Sequence, residues 1–213
     1  MWVFSLPNKA RLKEIAIWGG LASIAFPAIY GLCNHLASLQ TNFYQAYFAW
    51  ELDIPLIPWM IYPYMSLNAL FLLAAFILKE RAVKGYCLSL VISLFAAAIV
   101  FYFFPGELGF TRPDYVPGYN EIFQGMYAID KPHNLFPSLH VTYSTLSAMA
   151  MIQQSHSKSF TLIMTIWIIL IALSVILVHQ HHIIDIVMGF ILAIITYKYV
   201  YLKIVESSAI IKN

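Results

Sequence analysis

The chain has 213 residues, of which 61% are hydrophobic and only 10% are charged, and its formal net charge is +2. This composition excludes an ordinary soluble domain, and the charge gives no sign of a nucleic-acid partner. We therefore predict a polytopic membrane protein of the all-α class that forms a single domain over residues 1–213.

Apolar runs of about 17 to 25 residues are long enough to cross a hydrocarbon core about 30 Å thick. The sequence contains six such runs, at 15–36, 57–78, 86–104, 138–154, 160–178 and 183–202. Ser, Thr and Gln dilute the fourth run, which indicates a helix that faces other helices. The first run follows a basic segment without a convincing cleavage site, so we expect an uncleaved span.

The segment 39–58, between the first two runs, is rich in aromatic residues and carries Glu51 and Asp53. One interpretation is an aromatic anchor that lies in the external membrane interface. The other is that Glu51 and Asp53 line an entrance that selects a cationic or hydroxylated headgroup. The sequence leaves both open.

The connection 105–136 is rich in Gly and Pro, which predicts turn chemistry over about thirty residues, and connections of that length are usually functional or mobile. Arg112 precedes Pro113, which favours an extended backbone and a guanidinium that projects freely. Arginine can hold phosphate oxygens bidentately, whereas Lys131 would act as a point charge. The alternative is that each cation pairs with an acidic neighbour: Glu107, Asp114 or Asp130.

The fourth run begins with a short polar motif. Proline is tolerated in a first helical turn, so Pro137 or Ser138 should open the helix and leave the N–H groups near Ser138, Leu139 and His140 without intrahelical partners. Such a helix start attracts anions, and His140 could approach a bound anion. The alternative is a serine cap beside an incidental interfacial histidine.

A second polar motif opens the sixth run, where His181 and Asp185 are four residues apart and share one helix face. The carboxylate can accept from one imidazole nitrogen, which fixes the tautomer and leaves the other nitrogen as a nucleophile. The alternative is a buried pair with a structural role. His179 and His182 flank the pair, and we interpret them as interfacial or cavity-wall residues.

A metal site is the competing chemistry for this cluster. Five residues could in principle supply zinc ligands: His140, His179, His181, His182 and Asp185. Because they lack a sharply defined metal pattern, and because the helix start suits an anion, we predict a phosphate site without metal.

The distribution of cations predicts the topology. All twelve Lys and Arg residues except Arg112 and Lys131 fall on the side of the N-terminus, the connections 79–85 and 153–159, and the C-terminal tail. The positive-inside rule makes that side cytoplasmic, with both termini. The two polar motifs then open on the external or periplasmic face.

These motifs resemble those of a known family. Arg112-Pro113, Pro137-Ser138-Leu139-His140, and Ser174 followed by His181 and Asp185 are similar to the three signature motifs of the type 2 phosphatidic acid phosphatase (PAP2) superfamily, which shares its helical core with vanadium haloperoxidases. The resemblance covers about residues 100–200, and it implies metal-free, cofactor-free chemistry through a phosphohistidine.

The resemblance also implies residue roles, with His181 as nucleophile, Asp185 as its orienting group and His140 as acid to the leaving group. The phosphate ligands that we predict are Arg112, Ser138, Leu139, Ser174 and, in place of a missing cation, Lys131.

Three positions depart from the family pattern: Pro105 stands for a lysine, Leu139 for a glycine and Val175 for an arginine. The serine-leucine-histidine motif without the later arginine is more similar to the branch that contains inositol phosphorylceramide synthases.

The expected activity is hydrolysis of a phosphate monoester or diphosphate of a membrane lipid. A lipid phosphotransferase and a catalytically inactive lipid-binding or transport protein remain alternatives. The expected partners are the lipid phosphate and the bilayer, with no obligatory protein partner, in a bacterial inner or plasma membrane.

Overall fold

The computed structural model describes residues 4–210, with side chains up to Ser207, and within that range it has helices and no strands, as the sequence predicted. Lys212, one of the cations assigned to the cytoplasmic side, lies outside the described residues. The helices are α1 (Lys9–Ser38), α2 (Pro58–Ile77), α3 (Glu80–Phe103), α4 (Asn120–Ile129), α5 (Leu139–Gln154), α6 (Lys158–Leu177) and α7 (Ile183–Ser207).

Five of these helices are long and apolar enough to cross a membrane: α1, α2, α3, α6 and α7. The predicted fourth span corresponds to α5, which has 16 residues. At 1.5 Å per residue it is about 24 Å long, shorter than a hydrocarbon core of about 30 Å. The described part of the chain therefore has five candidate spans, and α5 is not among them.

Helix α5 is the central element of the bundle, because it packs against α2, α3, α6 and α7. Val141, Leu146 and Met151 on this helix are fully buried. Most of its polar residues are buried too, and several bond neighbouring helices, as when the hydroxyls of Ser147 and Tyr86 lie 2.7 Å apart. The polar dilution of the fourth run thus reflects a helix surrounded by other helices.

The bundle has one end that carries the polar motifs and an opposite end that carries most cations, which we call the basic end. At the basic end, Arg11 is buried and donates to the carbonyl of Leu78, 3.1 Å away, at the close of α2. Gln154 is the last residue of α5, and its side chain donates to the Tyr201 hydroxyl of α7. At the motif end, the N–H of Ser138 donates to the carbonyl of Asp185 at 3.0 Å. Helix α5 therefore runs from one end of the bundle to the other.

The connection 105–136 contains helix α4, so the prediction of turn chemistry throughout is wrong for residues 120–129. Phe123 and Met126 are buried against Ile61 and Tyr64 of α2. Their three-residue spacing puts both on one helix face, which the neighbouring Gly and Pro residues obscured in the sequence. This burial fixes the connection over the motif end.

Candidate active site

The first turns of α5 and α7 are tied together by their backbones. The Ser138 hydroxyl caps α5 by accepting from the N–H of Val141, and Thr142 Oγ1 donates to the carbonyl of Gly189 at 3.1 Å. A Cβ atom at position 189 would lie 2.8 Å from the carbonyl oxygen of Ser138. Only glycine permits this approach, which holds both polar motifs in one place.

Replacing Gly189 by alanine should therefore force the two helix starts apart. We expect a loss of about 1–3 kcal/mol in the free energy of unfolding, because the obstructing atom belongs to the backbone. Thermal unfolding in detergent measures this loss. The matched control is Gly20→Ala in α1, where a Cβ atom meets nothing within 4 Å. Equal stability of the two variants would contradict the close approach.

His181 and Asp185 form the predicted pair, with 3.3 Å between Nδ1 and Oδ2. The same carboxylate oxygen accepts from the N–H of His182 at 2.8 Å. Asp185 is 1% exposed and His181 is 4% exposed. Since Nδ1 donates to the carboxylate, Nε2 of His181 carries the lone pair, and no hydrogen bond within residues 4–210 uses it.

His140 lies across from this pair, with 6.5 Å between the ring centroids of His140 and His181. Its ring stacks on Tyr64 at 4.0 Å, and the Tyr64 hydroxyl donates to Asp130 Oδ2 at 3.2 Å. The hydroxyl of Tyr30 donates to the other oxygen of the same carboxylate. Asp130 thus holds the tyrosine that supports His140, a role that no motif in the sequence signalled.

A cavity of about 860 Å³ opens at these side chains. Leu139, His140, His181 and Asp130 all line it. The structure therefore brings the predicted nucleophile and the predicted acid to one apolar cavity, together with Asp130, which the sequence had indicated only as a possible partner of Arg112 or Lys131.

Arg112 lies beside this cluster. The sequence predicted that its guanidinium would project freely, but in the structure it is hydrogen-bonded to other residues. Its Nη1 donates to the backbone carbonyl of Asp130 at 2.8 Å and its Nη2 to Gln180 Oε1 at 3.0 Å, while the guanidinium lies 4.7 Å from the ring centre of Tyr127. Its buried Nε has no partner among the described residues. Burial lowers the pKa of Arg112, and the charge of Asp130 partly opposes that shift.

The other predicted phosphate ligands are placed differently. Ser138 is fully buried, and its N–H and hydroxyl are already used by Asp185 and Val141. Ser174 is also fully buried, and its hydroxyl donates to the carbonyl of Ile171 at 2.7 Å. Lys131 is exposed and does not line the cavity. Among the predicted cations, Arg112 is the one held against the cluster.

Glu51 is a site residue whose position the sequence did not reveal. It is fully buried, and Oε2 lies 3.3 Å from Nδ1 of His182 and accepts from the N–H of Ile183 at 2.9 Å. Asp53, in contrast, is exposed. Glu51 is therefore a cap on the start of α7, and neither a wall of a headgroup entrance nor part of a surface anchor. Its partners at the start of α7, His182 and Ile183, are more than 130 residues away, so no local pattern could have shown them.

His182 is oriented on both sides of its ring. Its Nε2 accepts from the N–H of Gly109 at 3.3 Å, so Nδ1 carries the proton and donates to Glu51. Burial lowers the pKa of His182, against the opposing charges of Asp185 and Glu51. The imidazole is thus a neutral structural link between the loop 105–136 and α7.

His179 has a left-handed backbone conformation, with φ at 56°, and its ring stacks on Phe110. Its Nε2 lies 2.9 Å from the carbonyl of Ile54. His179 and His182, which flank the pair in the alternative zinc set, thus have other partners. Within the described residues, no group of three or more His, Cys, Asp or Glu side chains is arranged to hold a metal.

Replacing Glu51 by alanine would leave three donors without this acceptor: the buried Nδ1 of His182 and the partly buried N–H groups of Phe48 and Ile183. We expect a loss of about 1–3 kcal/mol in the free energy of unfolding, which is the usual cost of one unmet buried donor, here Nδ1 of His182. Glu51→Gln keeps one carbonyl acceptor and should lose less. Thermal unfolding of the two variants tests the cap, and equal losses would contradict it.

Comparison with protein-family models gives a match over more than half of the chain. The model of the PAP2 superfamily matches residues 85–208, a stretch that contains both polar motifs and helices α4, α5, α6 and α7 entirely. No curated protein matches the chain.

Proposed function

The chain belongs to the PAP2 superfamily, whose members are phosphatases and phosphotransferases, and we propose that it is a membrane lipid phosphatase. Its substrate is a phosphate monoester or diphosphate of a lipid. The observation that carries the proposal is the free Nε2 of His181, whose ring is oriented by Asp185 and lines, together with His140, an apolar cavity.

In the proposed reaction, Nε2 of His181 attacks phosphorus while the bond from phosphorus to the lipid oxygen breaks. His140 gives its proton to that departing oxygen. Water, deprotonated by His140, then attacks the phosphohistidine, and phosphate leaves as His181 is restored. The carboxylate of Asp185 stabilises the positive imidazolium formed at His181, as a buried orienting carboxylate does in related nucleophilic mechanisms.

Phosphoryl transfer gains mainly from positioning and from stabilisation of charge on the transferred oxygens. The N–H groups of Leu139 and His140 open α5 and have no intrahelical partner. Arg112 offers its unpaired Nε at the edge of the same cluster. These donors are the proposed phosphate ligands, and Ser138 contributes by fixing the helix start. Ser174 would stabilise the last turns of α6 through its hydrogen bond to the carbonyl of Ile171. Lys131 would attract the anion from a distance.

The proposed topology has α5 as a sixth crossing. This helix runs from the motif end to the basic end, and α6 then returns to the motif end. A helix enclosed by its neighbours does not need to match the full hydrocarbon thickness. With the basic end cytoplasmic, both termini are cytoplasmic and the site opens on the external or periplasmic face of a bacterial inner or plasma membrane. The chain then forms one domain.

A phosphotransferase is the second candidate, and Asp130 is the observation that favours it. A carboxylate repels a phosphate but accepts a hydrogen bond from a hydroxyl, which is the group that a lipid or polyol acceptor would bring. The departures at Leu139 and Val175 agree with the branch that contains inositol phosphorylceramide synthases. Val175 is fully buried, and its carbonyl accepts from the N–H groups of Gln180 and His181.

The test is phosphate release by the purified protein in detergent from phosphatidic acid, phosphatidylglycerol phosphate and a polyprenyl diphosphate. Each assay is run with and without EDTA, and with and without a lipid or polyol bearing free hydroxyls. Release that survives EDTA supports the phosphatase. Phosphate that appears only on the acceptor establishes the transferase. Loss of activity in EDTA would overturn the metal-free mechanism, and binding without turnover would leave the lipid-binding alternative.

A further inference from the structure

The cavity at the active site continues far beyond the catalytic side chains. It lies between α1, α2 and α3 and reaches from Tyr30 near the motif end to Ile15 near the basic end. These two residues are fifteen positions apart on α1, which corresponds to about 22 Å along the helix axis. Leu78 and Val83, at the turn between α2 and α3, also line it. The cavity is therefore an elongated space nearly parallel to the helices.

Its walls change character along this length. His140, His181, Asp130 and Asn134 surround the end at the motifs. Most of the remaining lining is aliphatic or aromatic, as at Phe26, Phe71 and Leu90. Ligand cavities with one polar end and apolar walls bind amphiphiles, because the polar groups fix the headgroup and the walls accept its apolar part.

We propose that this cavity holds one hydrocarbon chain of the lipid substrate inside the protein, with the attached phosphate against His181 and His140. The proposal rests on the phosphatase function proposed above and specifies its substrate as a lipid phosphate with a long, extended acyl, alkyl or prenyl chain. The continuity of the apolar space with the catalytic histidines favours this occupant, since the chain and the phosphate belong to one molecule.

A chain that moves from the bilayer into this cavity gains little from the hydrophobic effect, because lipid tails are as apolar as the cavity walls. The benefit is positional, since a chain fixed along the cavity holds the phosphate in line with Nε2 of His181. The length of the cavity, about 22 Å along α1, also makes the enzyme sensitive to chain length. Obstruction of its far half should therefore act on long substrates much more than on short ones.

Ala22 lines the far half of the cavity on α1, whereas Ala28, six residues later, is exposed and does not line it. Six residues turn the helix by about 240°, so the two side chains leave on different faces. Ala22→Phe should lower the ratio of turnover on a long-chain to that on a short-chain alkyl phosphate by about tenfold or more. Ala28→Phe adds the same side chain outside the cavity and should leave the ratio as in the native protein.

A second pair on α2 repeats the test from the opposite wall. Ala75 lines the cavity, and Ala69, again six residues away, is exposed and does not. Ala75→Phe should lower the ratio as Ala22→Phe does, and Ala69→Phe should not. A change seen with all four variants would indicate a general disturbance of the helices and would overturn the proposal.

A binding measurement separates this proposal from the proposed function. A non-hydrolysable long-chain alkylphosphonate should raise the unfolding temperature of the native protein more than a short-chain one, and Ala22→Phe should remove the difference. This result without turnover would support the cavity and contradict the phosphatase. Turnover with no dependence on chain length, and no effect of Ala22→Phe or Ala75→Phe, would overturn the cavity and leave the phosphatase intact.

Discussion

His181→Ala is expected to abolish phosphate release, with a loss of roughly 10⁶-fold or to background, as for other enzymes that lose a nucleophile. The reason is that, in the proposed mechanism, Nε2 of His181 is the atom that forms the covalent bond to phosphorus. The variant should still fold, because His181 contributes one hydrogen bond to Asp185, whose carboxylate keeps the N–H of His182. Phosphate release and thermal unfolding of the same preparation measure both effects.

The matched control is His179→Ala, two residues away in the same loop. His179 contacts Phe110 and the carbonyl of Ile54. The His179→Ala variant should have a lower unfolding temperature than the native protein but should keep most of its rate of phosphate release. A substrate labelled in its terminal phosphate should leave base-stable label on the native protein and none on His181→Ala. If His181→Ala keeps a substantial rate, the pair with Asp185 is structural and the phosphohistidine mechanism is wrong.

The part of this site that the sequence predicted is the part held together by local geometry. His181 and Asp185 are four residues apart, so the helical period alone placed them on one face, and their contact follows. The capping role of Ser138 likewise depends on residues within one turn. The polar dilution of α5 predicted its central position, because a helix with buried hydroxyls needs helical neighbours to bond them.

Contacts between distant segments could not be predicted in the same way. Glu51 reaches His182 across 131 positions, and Asp130 meets Tyr30 and Tyr64 across 100 and 66 positions. A single sequence carries no signal for such pairs. The same limit explains why Arg112 was expected to project freely, since its partner Gln180 is 68 positions away.

The crossing count was uncertain for a different physical reason. Hydropathy measures how well a segment tolerates lipid, but α5 contacts mainly protein. A buried helix can be short and rich in Ser and Thr and still connect the two ends of a bundle. Composition therefore identifies five helices as candidate spans: α1, α2, α3, α6 and α7. It does not tell whether α5, the helix that carries His140, crosses the membrane.

Asp185→Asn is expected to lower kcat by about 10³- to 10⁴-fold with a much smaller change in KM, as for comparable orienting carboxylates. The substitution keeps an oxygen that can accept from the N–H of His182 or from Nδ1 of His181, but it removes the negative charge that stabilises the imidazolium during attack. The backbone carbonyl of residue 185, which accepts from Ser138, is unchanged. The fold should therefore survive while the chemical step fails.

The matched control is Asp53→Asn, which makes the same change at an exposed carboxylate outside the cluster and should leave kcat within about twofold, as expected for a surface substitution. Steady-state rates on a single lipid phosphate give kcat and KM for both variants. In the proposed mechanism the substrate is bound by Arg112, the start of α5 and the cavity, so a rise in KM at unchanged kcat would contradict it and would mean that Asp185 supports binding. A fall in kcat alone would mean that Asp185 acts on the transition state through His181, in agreement with the 3.3 Å contact between Oδ2 of Asp185 and Nδ1 of His181.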